Sequence, residues 1–210
     1  RLPHFFVAPV GSTTLPKRIQ FPLVVKPAQE DGSDGISIAS IVQNQEDLLT
    51  RIRMIHERMN QPAICEEYIE GREIYVGITG NDRLTAYPAR EIKFGPPEEG
   101  GPVIATARVK SDEKYRKKWN ITYEHAGLFA PEEQRVARVS KRIYQILKIR
   151  DYGRIDLRLT PGGEVVFIEA NPNPNLCRDD ELAEAAQRSG LEHDSLVERI
   201  VKLAAQRYRR

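Results

Sequence analysis

The sequence predicts an α+β fold, and three features of the residue pattern support that prediction. Apolar residues recur every three or four positions over 45–60 and again after Pro131, which is the period of an amphipathic helix. Short apolar runs bounded by Gly, Pro, Asn or Asp, such as 23–26, are typical of strands. The pair Gly162-Gly163 lies between two such runs and favours a two-residue hairpin turn. We therefore expect antiparallel or mixed sheets packed with helices.

The predicted elements follow one another along the chain. Asn44 is the expected N-cap of the first helix, and Pro131 stands at the first helical position of the second. Glu132 and Glu133 follow it, where negative charge suits the helix dipole. Residues 95–125 are rich in Gly, Pro and charge, and we expect a long loop there. Strands are predicted at 23–26, 36–41, 63–66, 73–78, 83–91, 103–109, 155–160 and 164–170, and the last two helices at 180–189 and 194–208.

Composition narrows the classes of function. The 210 residues are 40% hydrophobic and 30% charged with a net charge of +2, which gives no reason to expect a nucleic-acid or membrane partner. Two cysteines, Cys65 and Cys177, cannot by themselves form a disulfide framework or a metal site. No apolar run approaches the length of about 18 residues that spans a membrane. We expect a cytoplasmic protein, and because the chain begins at Arg1 rather than Met, a piece of a longer one.

The most informative segment is the predicted hairpin between Gly153 and Asn175. If its turn comprises Gly162-Gly163, Pro161 pairs with Glu164, and Asp156 then lies opposite Glu169. Side chains alternate between the two faces of a strand, so one face should be apolar and the other polar. The core face is predicted to hold Ile155, Leu157, Leu159, Val166, Ile168 and Ala170, and the polar face Arg154, Asp156, Arg158, Phe167 and Glu169, with Asn171 at its edge.

The polar face of this hairpin suggests a cation site. Directly opposed side chains have Cβ atoms about 5 Å apart, so Asp156 and Glu169 repel each other unless a cation lies between them. Carboxylate and amide oxygens suit Mg²⁺, and Arg154 beside them suits an anion or a developing oxyanion. The hairpin alone also permits a solvated face in which Arg154 and Arg158 neutralise the acids.

Two further segments are compatible with nucleotide binding. Lys26 ends an apolar strand before a Gly-containing loop, where a lysine can reach phosphate oxygens and loop N–H groups can bind others. Residues 66–73 connect two strands and can offer backbone groups to an adenine edge and a carboxylate to ribose hydroxyls. Both segments also fit an ordinary strand end and an ordinary charged connection, and the loop does not match the Walker pattern.

Taken in order, these segments resemble the ATP-grasp superfamily, and most of all D-alanine–D-alanine ligase and its carboxylate–amine ligase relatives. The resemblance covers roughly residues 20–205. It implies two sublobes that clamp ATP in a cleft, with an extended segment over 1–20, a small lobe with a lid over 20–70 and a large lobe with the metal site over 71–210. The motifs that carry it are Lys26-Pro27-Ala28 before a Gly/Ser lid, Glu66-Glu67-Tyr68-Ile69 with Gly71-Arg72-Glu73, Gly153-Arg154-Ile155-Asp156, and Ile168-Glu169-Ala170-Asn171.

The resemblance also implies a role for each motif residue. Lys26 would contact the ATP phosphates, Lys110 would be a second such lysine, and Arg154 would steady the acyl phosphate and the tetrahedral oxyanion. The lid would contain Gly32, Ser33 and Gly35; the nucleoside would be bound by Glu66, Glu67, Tyr68, Ile69, Glu73 and Ile168; and the metal ligands would be Asp156, Glu169 and Asn171, holding two Mg²⁺ ions, for which Mn²⁺ could substitute.

The implied reaction is ATP-dependent amide bond formation. A carboxylate attacks the γ-phosphate to give an acyl phosphate and ADP, and an amine then displaces phosphate. We expect small-molecule carboxylate and amine substrates and an N-terminal domain upstream of Arg1, with a homodimer as an open option. Gly32 in the lid and 172–175 after the metal asparagine depart from the D-alanine ligase pattern and leave the substrates open. The alternative is a non-catalytic Mg-ATP-binding module that regulates a partner.

Overall fold

A computed structural model describes residues 1–30, 33–96 and 100–208, and these fall into two compact units. The N-terminal unit comprises Leu2–Ile69 and Phe94–Thr122, and the C-terminal unit comprises Arg1, Glu70–Lys93 and the chain from Tyr123 onward. The change of unit at Ile69 lies beside the predicted lobe boundary, but Phe94–Thr122 groups with the first unit. The assignment of functional lobes stays a prediction.

The N-terminal unit contains a four-stranded antiparallel sheet covered by one helix. Its strands are β1 (Phe5–Ala8), β2 (Leu23–Pro27), β3 (Ile41–Val42) and β4 (Ala63–Glu67), in the order β1-β4-β2-β3. Helix α1 (Gln45–Met59) begins where predicted, because the Asn44 side chain accepts a hydrogen bond from the Asp47 N–H at 3.0 Å. The core beneath it includes Val25, Leu48, Ile52, Ile55, Ala63 and Cys65.

Two strand predictions in this unit are wrong, and local side-chain hydrogen bonds explain both. Within 36–41 a 3₁₀ turn, Ile38–Ser40, precedes β3, and the Ser37 N–H donates to the Ser40 hydroxyl at 3.0 Å. Within 103–118 the chain forms two short helices, α2 (Ala107–Ser111) and α3 (Glu113–Lys118), rather than a strand and a long loop. Thr106 and Asp112 cap these helices through their side chains.

The C-terminal unit is built on a six-stranded sheet. Its strands are β5 (Arg72–Thr79), β6 (Thr85–Ala86), β7 (Arg90–Lys93), β8 (Thr122–His125), β9 (Tyr152–Leu159) and β10 (Val165–Asn171), ordered β10-β9-β5-β7-β8, with β6 also paired to β5. The predicted single strand over 83–91 is two short strands. Pro88 lies between them and lacks the N–H that a ladder needs.

Helices cover both faces of this second sheet. Helix α4 (Ala130–Ile146) begins one residue before the predicted start at Pro131 and packs Val136 and Tyr144 against Ile74, Ile155 and Leu157. On the opposite face lie α5 (Glu181–Arg188) and α6 (His193–Tyr208), whose own core includes Leu182, Ala185 and Leu196. None of the helices in the described part of the chain is both long and apolar enough to cross a membrane.

Candidate active site

The hairpin of β9 and β10 has a three-residue loop rather than the predicted two-residue turn. The Thr160 N–H donates to the Glu164 carbonyl at 3.0 Å, and the Gly163 N–H donates to the Thr160 carbonyl at 2.8 Å. The loop therefore comprises Pro161, Gly162 and Gly163, and Gly163 has a φ of 77°, which glycine adopts without strain. The predicted pairing of Pro161 with Glu164 is wrong.

A β-bulge in β10 restores the predicted pairing further along the hairpin. Before the bulge Phe167 pairs with Leu157, and after it Glu169 pairs with Asp156. The longer loop alone would place Ile168 opposite Asp156, and the extra residue in the bulge moves Glu169 into that position. Ile168 is itself half-buried. The prediction that Asp156 lies opposite Glu169 is confirmed, although the backbone reaches this register by a different path.

The longer loop changes which residues of β10 face the core. Val165, Phe167 and Ala170 pack into the hydrophobic core beneath α4, whereas Val166 pairs with Arg158 on the other face. The predictions that Phe167 lies on the polar face and Val166 on the core face are wrong. Between the loop and the bulge the register is shifted by one residue, and such a shift moves every side chain to the opposite face.

Arg154 places a positive charge beside Asp156, one of the two opposed acids. Its Nε and Nη2 donate to the two carboxylate oxygens of Asp156 at 2.8 and 2.9 Å, and its Nη1 donates to Glu181 at 3.2 Å. Its guanidinium carbon also lies 5.0 Å from the centre of the Tyr75 ring. Burial opposes the charge, but Asp156 and Glu181 outweigh it and raise the pKa of Arg154 above its ordinary value.

The three predicted metal ligands lie on the same face of the sheet as Arg154. Asp156 is buried, with 6% of its surface exposed, and Glu169 and Asn171 are half-buried. Asn171 pairs with Arg154 across the hairpin, so the four side chains form two adjacent cross-strand pairs. The Asn171 amide oxygen accepts a hydrogen bond from the Asn173 N–H at 2.9 Å, which orients that amide.

Glu73, predicted to bind ribose, is part of a buried network on the same face. Its Oε2 accepts a hydrogen bond from Arg158 Nη2 at 2.7 Å, and its Oε1 accepts one from the Tyr75 hydroxyl at 2.7 Å. Burial raises the pKa of Tyr75 well above its ordinary value, and the charges of Glu73 and Asp156 add to the effect. Tyr75 therefore stays protonated and can donate to Glu73.

Gly71 is required at its position in the motif before Glu73. Its φ is 145°, in a region that other residues rarely adopt. A Cβ there would lie 2.9 Å from the carbonyl carbon of Leu159 and closer still to its oxygen. The Gly71 carbonyl accepts a hydrogen bond from Arg158 Nη1 at 2.8 Å, so the close approach of the two backbones also helps to position Arg158.

In the N-terminal unit, the predicted phosphate lysine and adenine-binding glutamate contact each other. Lys26 Nζ lies 2.7 Å from Glu66 Oε2, and the two side chains are 20% and 16% exposed. The neighbouring residue Val25 points into the core beneath α1, so Lys26 lies on the sheet face away from that helix. The half-buried Val24 and Ile64 flank the pair in register on the same face. An ion pair on an apolar surface results.

Two backbone donors of the predicted hinge make hydrogen bonds within the unit. The Glu67 N–H donates to the His4 carbonyl at 2.8 Å, and the Tyr68 N–H donates to the Pro22 carbonyl at 3.0 Å. Ile69 is 5% exposed. The first of these bonds extends the pairing of β1 with β4 and fixes the direction in which the hinge leaves the sheet.

The loop after Lys26 is anchored on both sides of the predicted lid. Gly32 lies outside the described residues, whereas Ser33 and Gly35 have φ values of 68° and 70°. A Cβ on Gly35 would lie 2.6 Å from Pro27 Cγ, so glycine is needed there. The Gly35 carbonyl accepts a hydrogen bond from the buried Arg51. Before the lid, the Gln29 N–H donates to the Gln61 side chain at 2.8 Å.

Lys110 occupies the last turn of α2 and is half-buried. Its carbonyl accepts a hydrogen bond from Arg116 Nη1 at 3.0 Å, and the same nitrogen donates to the Val109 carbonyl at 3.0 Å. The lysine is thus on a short helix whose end is fixed by an arginine of α3. Its assignment as a phosphate ligand stays a prediction.

Sequence reasoning missed two side chains that complete the polar face. Tyr75 alternates with Glu73 on β5, a period of two that could have placed it there. Glu181, the second partner of Arg154, lies in the first turn of α5, far along the chain. Only the packing of that helix on the sheet brings it to Arg154, and the sequence carries no signal for this contact.

The fold is that of the ATP-grasp ligases. A solved D-alanine–D-alanine ligase of Bacillus anthracis superposes with a TM-score of 0.75, covering 98% of this chain and 60% of that protein at 21% identity. A family model described as the D-ala D-ala ligase C-terminus matches residues 11–202, and the chain belongs to that family.

Two curated relatives match most of this chain. An uncharacterized protein of Sinorhizobium fredii, y4sG, is 30% identical over 201 residues, covering 90% of this chain and 54% of that protein. D-alanine–D-alanine ligase A of Escherichia coli K12 is 29% identical over 192 residues, covering 91% and 49%. The chain therefore spans about half the length of the relatives it matches.

Proposed function

We propose that the protein is an ATP-dependent carboxylate–amine ligase that forms an amide or peptide bond through an acyl phosphate. The observation that carries this proposal is the pairing of Asp156 with Glu169 on a polar face that also presents Arg154 and Asn171. Membership of the D-alanine–D-alanine ligase family supports it. It does not favour the alternative of a non-catalytic module.

Mg²⁺ is the metal that best suits this group of residues. Two carboxylates and an amide provide hard oxygen donors, and Mg²⁺ usually takes one or two carboxylates together with phosphate oxygens. The contact of Asp156 with Arg154 uses part of its acceptor capacity, because an ionised carboxylate has about four lone-pair sites. Asp156, Glu169 and Asn171 would hold the metal, which when bound neutralises charge on the phosphates.

ATP is the proposed nucleotide. The Bacillus anthracis ligase that superposes on this chain was solved in complex with ATP. In the N-terminal unit, Lys26 offers its ammonium group to phosphate, and Glu66 offers its carboxylate to the adenine amino group. Their contact with each other means that each is already oriented by a partner of opposite charge. Glu73, held by Tyr75 and Arg158, would accept from ribose hydroxyls.

Arg154 has the central chemical role in this proposal. In the first step a carboxylate oxygen attacks the γ-phosphorus, and the bond to ADP breaks. In the second step the amine nitrogen attacks the acyl carbon, the carbon–oxygen bond to phosphate breaks, and the amine loses a proton. Arg154 would bind the phosphate oxygens and the oxyanion that develops, since its guanidinium is fixed by Asp156 and Glu181 before reaction.

The test is amine-dependent phosphate release from Mg-ATP, screened with amino acids and small peptides as carboxylate and amine. Glu169→Gln should reduce that release about 100-fold while the fold survives, because it removes a charged ligand and keeps the shape of the side chain. Glu164→Gln is the matched control on the same hairpin, since Glu164 is 51% exposed and pairs with Arg1. If the Glu169 variant were as active as the unaltered protein, the proposed metal site would be wrong. If the rate of phosphate release did not depend on the amine, the proposed ligase activity would be wrong.

A further inference from the structure

A cavity in the C-terminal unit lies apart from the residues of the candidate active site. Its volume is about 800 Å³, and none of the predicted site residues lines it. Its walls come from the loop after β5, from the end of α4 with the loop that follows, and from the part of α6 between Arg199 and Arg207. The volume falls within the range of about 300–1,000 Å³ that is typical of small-molecule sites. We call it the basic cavity.

Positive charge dominates the lining of this cavity. Among its lining residues are five cations, and Asp82 is the one carboxylate. These cations outnumber the two carboxylates beside them, Asp82 in the lining and Asp151, which pairs with Arg207, so an anion bound among them would relieve the remaining repulsion. The cations are Arg83, Lys148, Arg150, Arg199 and Arg207.

A rigid hydrogen-bonded floor supports the cavity. The Asn81 side chain donates to Asp151 Oδ1 at 3.0 Å and accepts from the Asp151 N–H at 2.9 Å. The Gly80 N–H donates to the Asp151 carbonyl at 2.9 Å, and the buried Tyr144 hydroxyl donates to the Gly80 carbonyl at 3.1 Å. These bonds tie the loop after β5 to α4 and to the residue before β9, so this side of the cavity is held in place by hydrogen bonds within the protein.

Two of the arginines are held in place by other side chains. Arg207 Nη2 donates to Asp151 Oδ2 at 2.8 Å, and Arg199 Nη2 donates to the Thr85 hydroxyl at 2.7 Å. A guanidinium fixed at one nitrogen keeps further N–H donors in a planar arrangement that matches phosphate oxygens. The fixed arginines therefore provide direction as well as charge.

Complementation of helix dipoles does not account for this set of cations. Lysine or arginine at a helix C-terminus is favoured by the dipole alone, and this explains Lys148 after α4 and Arg207 in the last turn of α6. Arg199 lies in the middle of α6, Arg83 in a loop after β5, and Arg150 just before β9. Their convergence on one cavity requires another reason.

We propose that the basic cavity binds a compact, multiply charged anion that carries phosphate groups. Tyr144 is the aromatic residue among its lining residues, and it is 1% exposed with its hydroxyl bonded to Gly80. Among the described lining residues there is therefore no accessible ring for a base to stack on, and the Tyr208 ring just outside the lining is occupied by Arg207, whose guanidinium carbon lies 4.6 Å from its centre. The arginine guanidinium groups would donate hydrogen bonds to the phosphate oxygens, and the exposed Lys148 and Arg150 would close over the ligand.

Calorimetric titration with inorganic tripolyphosphate in EDTA tests this proposal. The 210-residue chain should bind one equivalent, and Lys148→Gln with Arg150→Gln should weaken binding at least about tenfold, because two phosphate-facing cations are lost. Arg135→Gln with Arg138→Gln is the matched control, since it removes the same charge from exposed positions of α4 outside the cavity. The control should change affinity by less than about twofold.

Three outcomes would overturn the proposal. If the two double variants lost equal affinity for tripolyphosphate, the effect would come from overall charge and not from the cavity. A loss in Lys26→Gln as large as in the cavity variant would place the anion at the proposed ATP site, so this arm separates the two proposals. If a short single-stranded RNA bound more tightly than tripolyphosphate, and the cavity variant weakened that binding, the ligand of the cavity would be a polynucleotide and not a small anion. Retention of affinity by Lys148→Arg with Arg150→Lys would show that the lost binding reflects charge rather than misfolding.

Discussion

Arg154 holds two carboxylates of the candidate active site at once, Asp156 through two hydrogen bonds and Glu181 through one. The side chains of Arg154 and Asp156 are 12% and 8% exposed, so each depends on the other for its charge to be tolerated. Removal of this cation would leave the Asp156 carboxylate buried without its partner, and the same cation is the proposed anion ligand. The Arg154 guanidinium is therefore important both for the stability of the fold and for the proposed chemistry.

Replacing Arg154 by Gln should lower the free energy of unfolding by about 3 kcal/mol, because it leaves the Asp156 carboxylate buried without a cation. Urea unfolding in EDTA measures this change. Arg135→Gln, at an exposed position of α4, is the control and should change the free energy by less than about 0.5 kcal/mol. A loss no larger in the Arg154 variant than in this control would mean that the pair contributes nothing to the fold.

At the scale of elements, the backbone just before β5 approaches the end of β9 closely at Gly71. Gly71→Ala should lower the free energy of unfolding by at least about 2 kcal/mol, because the new Cβ meets the Leu159 carbonyl and the φ of 145° is strained for alanine. Thermal or urea unfolding measures the loss. Gly162→Ala is the control, since the nearest atom to a Cβ there is 3.8 Å away. Similar stability of the two variants would contradict the steric account.

The bulge in β10 leads us to expect that deletion of one residue from this strand is tolerated. Removing Ile168 deletes the extra residue and leaves Asp156 opposite Glu169, so the fold and Mg-ATP stabilisation should survive. Removing Ala170 is the matched control: it places Asn171 opposite Ile155, on the core face, and should abolish that stabilisation. Thermal unfolding with and without Mg-ATP compares them. Should the first deletion prove as harmful as the second, the bulge itself, and not the register, would be what the site needs.

The hairpin also shows how far the sequence determines this site. The pairing of Asp156 with Glu169 was predictable, because a two-residue turn without a bulge and a three-residue loop with one place the same residues opposite each other. For the same reason the sequence could not distinguish the two paths, and it misplaced Phe167 and Val166. Helices with strong caps, such as α1 after Asn44, were predictable, whereas segments governed by serine and threonine hydrogen bonds were not.

At the scale of the whole chain, the hydrophobic clusters follow the two units. The cluster beneath α1 draws its residues from positions 6–65, and the cluster beneath α4 draws its residues from positions 74–170. Separate cores favour unfolding in more than one step. We therefore expect a fragment of residues 1–69 to unfold cooperatively and to match one of two transitions of the 210-residue chain.

Two core substitutions test this independence by circular dichroism during urea unfolding. Ile52→Ala should shift the transition that the fragment reproduces, and Leu157→Ala should shift the other, each by about 2–5 kcal/mol. The two substitutions serve as controls for each other, because both residues are 0% exposed. A single transition that both variants shift alike would show one cooperative core instead.

The contact between Arg154 and Asp156 links metal binding to nucleotide binding. A divalent cation held by Asp156 would share that carboxylate with the guanidinium, because Arg154 uses only part of the acceptor capacity of the two oxygens. The charge of the metal would weaken the attraction between Asp156 and Arg154, while Glu181 would keep the guanidinium in place. Arg154 would then attract the anion that accompanies the metal more strongly, so metal and nucleotide should bind with positive cooperativity.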